Sequence, residues 1–323
     1  MKQTTSNILL VKPSNFGFNT QTASSNAFQK EIKDISSSSP LSFGGPNGFR
    51  EGVRHVSDIA LDEFGAFVKK LSEHGINPLV FDDSTVPIKP DAIFPNNWIS
   101  MHEDGRVILY PMCAPNRRLE RSKEIVDKLK ESFIVKEVID LSSYEDEGRF
   151  LEGTGSIIFD HTNRDAYACI SPRTDETLFQ EVCEILGYLP IAFHSSDENN
   201  LAIYHTNVMM CIGKDFAVIC LETIKDNLER KHVTNSLEKS GHEIIDISIA
   251  QMKEFAGNML ALENNTGQKL LAMSQSAFDS LHNQQRNKLE KYATLLPLSI
   301  NAIETTGGGS ARCMMAEIFL PKK

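Results

Sequence analysis

One short pattern recurs five times along these 323 residues, and nothing else in the chain restricts its fold as much. A Gly-, Asn- or Thr-rich turn leads into an apolar run, a polar break and a second apolar run, the mark of a repeat architecture. The copies read PNNWISMHEDGRVILYPM, GTGSIIFDHTNRDAYACISP, HTNVMMCIGKDFAVICLET, AGNMLALENNTGQKLLAMSQ and GGSARCMMAEIFLP. With Asn97, Gly155, Asn207, Asn258 and Cys313 taken as equivalent, successive copies stand 58, 52, 51 and 55 positions apart.

Each copy predicts a hairpin, because two β-rich segments flank a turn cluster such as Asn163–Asp165 or Asn264–Gly267. Helical spacing fills the gaps. Val56, Ile59, Phe64, Phe67, Val68 and Leu71 predict a helix stopped at Gly75, followed by a strand over Pro78–Phe81. The same order is expected for Leu119–Leu129 into Val135–Leu141, Leu178–Leu186 into Leu189–Phe193, Leu228–Leu237 into Glu243–Ile247, and Phe278–Tyr292 into Leu296–Ile303. The last unit lacks room for its second hairpin strand, while Ile8–Lys12 is an orphan strand. Ring closure by that strand repairs both defects and leaves no exposed edge. The expected fold is therefore α/β, a five-bladed α/β propeller of strand–strand–helix–strand units forming one catalytic domain over residues 1–323. The polar stretch 13–52, with apolar anchors at Phe16, Phe18, Phe43 and Phe49, is expected to be a lid.

Composition removes several function classes. With 33 basic and 43 acidic residues the net charge is -10, and Arg117, Arg118 and Arg121 on one short helical stretch are the single dense basic cluster, which argues against nucleic acid. Apolar runs fall far short of a bilayer span, and Met1–Ser14 has no secretory h-region, so a cytoplasmic protein without membrane attachment is expected. Six cysteines form no C-x-x-C pair, and all but Cys313 read as small buried hydrophobes. His102, His161, His194 and His232 have no ligand spacing and read as surface or loop residues. No metal and no cofactor are expected.

Equivalent positions in a ring of repeats face one axis, and here they carry Asn96, Asn97, Glu152, His205, Asn207, Asn258 and Cys313. Cys313 follows Gly307, Gly308, Gly309 and Ser310, a run that lets backbone approach a ligand and offers amides to developing charge. A thiol is mostly protonated at neutral pH and needs a base, for which His205 is the natural candidate. Glu152 precedes Gly153-Thr154-Gly155, where a tight turn carries a carboxylate toward the axis.

Phe94–Trp98, Glu152–Gly155, Ser171–Thr174, His205–Asn207, Gly257–Asn258 and the glycine run ending in Cys313 together resemble the guanidino-group-modifying superfamily of arginine deiminases, dimethylarginine hydrolases and amidinotransferases, whose fold is the pentein. The resemblance implies Cys313 as nucleophile, His205 as general acid and base, and Glu152 as the carboxylate that orients substrate nitrogens. It implies that Arg173, in the S-x-R-T segment, reaches the substrate α-carboxylate, with Arg50 or Arg54 as alternatives. Guanidino enzymes commonly carry carboxylates after the F-x-x segment and two residues beyond the histidine, whereas this chain has Asn96-Asn97 and Asn207. Losing a carboxylate partner costs a buried guanidinium on the order of 3–5 kcal/mol. A ureido group is planar and neutral, and carboxamides offer it donors and acceptors. Over its length the chain resembles the citrulline-utilization hydrolase branch, so the expected reaction is citrulline to ornithine through a covalent cysteine intermediate. The expected oxyanion donors are the amides near Gly308 and Gly309. The runner-up is an arginine deiminase, dimethylarginine hydrolase or amidinotransferase, for which Asp91 or Glu304 would supply the anionic subsite. The expected partner is a small ureido or guanidino amino acid, and a homodimer is the base-rate assembly.

Overall fold

The computed structural model describes residues 2–31 and 55–323. Arg50, Arg54, Phe43 and Phe49 of the expected lid lie outside the described residues. Fifteen strands among them form five three-stranded sheets of one design. The first sheet orders β15 (Ala316–Glu317), β1 (Asn7–Lys12) and β2 (Asn77–Asp82). The others are β3 (Ile99–Met101), β4 (Arg106–Leu109) and β5 (Glu137–Asp140); β6 (Ile157–Asp160), β7 (Asp165–Cys169) and β8 (Leu189–Phe193); β9 (Met210–Ile212), β10 (Phe216–Ile219) and β11 (Glu243–Asp246); β12 (Leu260–Glu263), β13 (Lys269–Ser274) and β14 (Thr294–Leu298). Each central strand pairs antiparallel with one neighbour and parallel with the other. A parallel pair needs a crossover, and the helical segments expected from spacing supply it. The orphan strand is placed as expected: β1 holds β15 antiparallel through Ile8↔Glu317 and Leu9↔Ala316, which joins the two ends of the chain.

Both faces of the central strands are covered, so β7 and β10 are buried along their whole length, and their runs are apolar without alternation. Neighbouring sheets touch through their short first strands: β15 packs on β3, β6 on β9 and β9 on β12. Those first strands are preceded by single turns, Pro95–Asn97, Gly153–Ser156 and Thr206–Met209, which fall on three of the five aligned positions.

Three expected elements differ in detail. The helix expected from Leu119 starts at Lys123, where the Ser122 hydroxyl accepts from the Ile125 N–H. The helix expected over Phe278–Tyr292 is two, Gln275–Ser280 and Asn283–Leu289, because Leu281 and His282 are extended and Gln285 caps back onto the His282 N–H. The strand expected over Leu296–Ile303 stops at Leu298. A helix, Asn301–Gly307, follows because Glu63 accepts from the Ala302 and Ile303 N–H groups and so satisfies a helix start. His102 and His161 lie in loops, as read, but not at the surface. They are buried around Phe159, with His102 Nε2 on Ser100 Oγ at 2.7 Å and His161 Nδ1 on Tyr188 Oη at 2.7 Å. Polar side-chain partners let a ring enter the interior that its sequence context assigned to the surface. His194 and His232 are exposed as expected.

Candidate active site

Glu152 is fully buried at the start of the Gly153–Ser156 turn. Its N–H donates to the Arg173 carbonyl and the Ser156 hydroxyl, and its Oε1 accepts from the Cys113 N–H at 3.0 Å. The turn is available only to glycine: Gly153 has φ +47, and a Cβ there would stand 2.3 Å from the Asn96 carbonyl oxygen. Glu152 Oε2 lies 2.8 Å from His205 Nε2. A carboxylate only accepts, so Nε2 carries the proton and Nδ1 is the basic nitrogen. Burial pushes His205 down to about 4, with Glu152 pulling the other way and Arg173 and Arg117 adding to the fall, so the ring is neutral at pH 7. Burial works against the charge on Glu152, but Arg173, the His205 hydrogen bond and Arg117 outweigh it and hold the carboxyl well below its ordinary range.

The sulfur of Cys313 is buried among carboxamides. Asn207 Nδ2 stands 3.4 Å and Asn258 Nδ2 3.3 Å from Sγ. Asn258 is itself fixed, donating to the Asn207 carbonyl at 2.8 Å and accepting from the Arg312 N–H at 3.0 Å. Thiol and imidazole are linked through Asn207, two residues past His205; no hydrogen bond joins them directly among the described residues. Gly309 lies against Phe94, where an added Cβ would come within 3.3 Å of the Cys313 Cβ.

Of the two adjacent asparagines, Asn97 belongs to this centre. Its Oδ1 accepts from Arg117 Nη1 at 2.8 Å, and its Nδ2 would be 2.3 Å from a Cβ on Gly155, a position also within 2.9 Å of the His205 ring. Asn96 is buried with neither amide atom partnered by the protein; Asn97 Nδ2 and Asn207 Oδ1 are unpartnered too. Arg173 is buried, over the Tyr204 ring and 3.6 Å from Glu152, with its Nε and Nη2 donating to Ser25 Oγ and its Nη2 also to the Thr22 carbonyl. It lines a cavity of ≈ 720 Å³ with Tyr204, Phe28, Lys30 and Glu304. Residues 19–30 lie across the centre: Asn19 donates to Asp91, Asn26 to the Gly307 and Gly308 carbonyls, and the Lys30 N–H to the Thr305 carbonyl.

Two expected assignments change. The Gly308 amide is committed to the Glu304 carbonyl at 2.8 Å, closing the Asn301–Gly307 helix, so it is not an oxyanion donor. Cys113 is half-exposed and not a core residue, with burial and then the Glu152 charge holding its thiol above the usual value. Sequence reasoning missed Arg117. It read only as part of a dense basic cluster, yet it is buried, with Nε and Nη2 on Glu120 at 2.9 Å each, 3.8 Å from Asp91 and 3.9 Å from Glu152. The i, i+3 spacing of Arg117 and Glu120 was the one signal available.

Residues 46–320 match the family described as N,N dimethylarginine dimethylhydrolase, eukaryotic. The chain belongs to this family. It thereby falls within the guanidino-group-modifying superfamily, as its motifs indicated. No curated protein matches it. Among solved structures it is similar to ArgZ, an arginine dihydrolase from the ornithine-ammonia cycle in cyanobacteria (TM-score 0.69, 14% identity), covering 98% of this chain but 41% of that one. It is also similar to the ArgZ N-terminal domain covalently bound to a reaction intermediate (TM-score 0.69, 15% identity, 98% of both chains). A mutant DDAH from Pseudomonas aeruginosa complexed with citrulline matches with TM-score 0.61 and 13% identity over 97% of this chain and 99% of that one. This chain thus spans about two-fifths of the full-length ArgZ it matches. At these identities the likeness establishes the mixed α/β fold. No described helix is long and apolar enough to cross a membrane.

Proposed function

We propose that this chain is a single-domain five-bladed propeller that hydrolyses the ureido C–N bonds of citrulline, or a close analogue, to ornithine, carbon dioxide and ammonia. The observation that carries the reading is the sulfur environment. The groups on Cys313 are the carboxamides of Asn207 and Asn258, and Asn97 faces the Glu152–His205 pair from the other side. Carboxamides present donors and acceptors to a neutral planar group, whereas a guanidinium presents only donors.

In this reading Cys313 is the nucleophile. Its proton passes to His205 Nδ1, the sulfur bonds to the ureido carbon, and the proton returns to the nitrogen that leaves as ammonia or ornithine. Water deprotonated by His205 then breaks the C–S bond, and the carbamate released loses carbon dioxide. Glu152 fixes the imidazole and orients the nitrogens. Arg173 takes the α-carboxylate once Ser25 and Thr22 give up its donors, and the unpartnered Oδ1 of buried Asp91 is an acceptor for the α-ammonium. Residues 19–30, the described part of the lid, limit water at the thiocarbamate stage.

A second reading, hydrolysis of arginine or dimethylarginine, is favoured by the family's description and by the arginine dihydrolases among the similar structures. Purified protein incubated with citrulline, arginine, agmatine and dimethylarginine, with ammonia and amine release assayed and Cys313→Ala as control, separates the two. Citrulline turnover abolished by the substitution supports the ureido reading; turnover of arginine without citrulline rejects it.

A further inference from the structure

The guanidinium of Arg117 is held as a bound guanidinium substrate would have to be held. Three of its nitrogens donate to oxygens at hydrogen-bond distance. Nε and Nη2 grip the two Glu120 oxygens at 2.9 Å each, and Nη1 reaches Asn97 Oδ1 at 2.8 Å. Nη2 is shared further with the Phe94 and Asp91 carbonyls at 3.3 and 3.5 Å. Asp91 at 3.8 Å and Glu152 at 3.9 Å complete an anionic shell around it. Glu120, Asp91 and Glu152 are all buried, so this cluster lies out of water, where charge imbalance is costly.

We propose that Arg117 is a specificity-determining positioning residue: a resident guanidinium that occupies the anionic subsite beside Asn97 and Glu152, so that the centre selects a neutral ureido head over a cationic guanidino one. This rests on the ureido reading of the site. The charge inventory supports it. Arg117 pairs with Glu120, and Glu152 is shared by His205, Arg173 and Arg117. A zwitterionic amino acid with a neutral side chain adds one anion for Arg173 and one cation for Asp91. An arginine side chain adds a further positive charge at a centre whose carboxylate, Glu152, already lies within 4 Å of both Arg117 and Arg173, and the Arg117 charge opposes it. A role confined to structure would affect both substrates alike; a resident cation affects them in opposite senses.

The test measures binding of L-citrulline and L-arginine by calorimetry in a Cys313→Ala background, where nothing turns over. The parent is expected to prefer citrulline. Arg117→Gln, which removes the cation, is expected to shift the citrulline-to-arginine affinity ratio toward arginine by about tenfold or more. Glu120→Gln, close to isosteric and leaving Arg117 less neutralised, is expected to shift the same ratio the other way, and it supplies the answer if Arg117→Gln fails to fold. Opposite shifts support the proposal. Equal weakening of both ligands, or an unmoved ratio in a parent that prefers citrulline, overturns it and leaves the ureido reading standing. A parent that prefers arginine overturns the ureido reading first and this inference with it.

Discussion

Glu152 organises the centre at the scale of single residues. Two of its neighbours are guanidinium cations and a third is the Nε2–H of a neutral imidazole, so replacing it by glutamine leaves Arg117 and Arg173 under-neutralised and gives His205 Nε2 a neutral partner. Glu152→Gln is expected to reduce kcat by about a hundredfold or more, as removal of a positioned acid–base element does. Steady-state kinetics beside a circular-dichroism comparison with the parent checks it. Gly155→Ala is expected to act on the same centre without touching a charge, since its methyl would meet Asn97 Nδ2 and the His205 ring. The sequence made Glu152, His205 and Cys313 legible because repeats align them, and it made the two amide substitutions legible as departures. It left undecided which of Asn96 and Asn97 turns inward, because the single turn at Pro95–Asn97 places adjacent residues on different faces. Arg117 was hidden for another reason. An arginine beside another arginine reads as solvent-facing unless the fold brings three buried carboxylates to meet it.

At the scale of elements, helix positions followed from spacing, but their ends followed from capping groups that are remote or short. Glu63, on the Val56–Glu73 helix, caps the Asn301–Gly307 helix that carries the glycine run to Cys313. No local pattern announces a cap drawn from more than 200 residues away. Glu63→Gln is expected to destabilise the protein by about 1 kcal/mol through the lost charge at that helix start, measured by urea denaturation. It is also expected to lower kcat with little change in KM, because the glycine run positions the thiol. A stability loss with unchanged kcat would show that the helix start and the Cys313 thiol are uncoupled. Segment 19–30 illustrates the limits of pattern reading. Its lack of periodicity marked it as irregular, yet it is held across the centre by hydrogen bonds to Asp91, Arg173, Gly307 and Gly308.

At the scale of the molecule, β1 joins the two ends of the chain. Leu9 is fully buried between Ala316 and Leu79, its partners on either side. Leu9→Ala is expected to cost 2–5 kcal/mol, roughly as for other buried leucines, read from the denaturation midpoint. Acid sensitivity is also a property of the whole interior. Burial holds His102 and His205 down to about 4 and pushes His161 well below its ordinary value, so these three rings bind fewer protons in the folded state than in the unfolded chain between about pH 4 and 6.5. Their contribution to stability is fully present above pH 6.5 and is lost as pH falls toward 4, and Glu152, with its lowered pKa, extends the loss below 4.5. Burial of Glu120, pushed up to about 7, and of Asp91, Glu304 and Glu317, also raised, acts in the opposite sense, so the ring contribution is read by comparison: between pH 6.5 and 4 the melting temperature of His102→Gln is expected to decline less than that of the parent. The same pH slope in parent and variant would contradict the burial of this ring in neutral form.

The sequence by itself determined the repeat, the mixed α/β class, the pairing of the first strand with the last and the set of residues that come together at the centre, because periodicity and turn chemistry are written locally. Only the tertiary structure decided which side chains meet. Burial, charge partnership and the hydrogen bonds of Arg117, Arg173 and the 19–30 segment come from residues tens to hundreds of positions apart, and one-dimensional spacing carries no record of such neighbours.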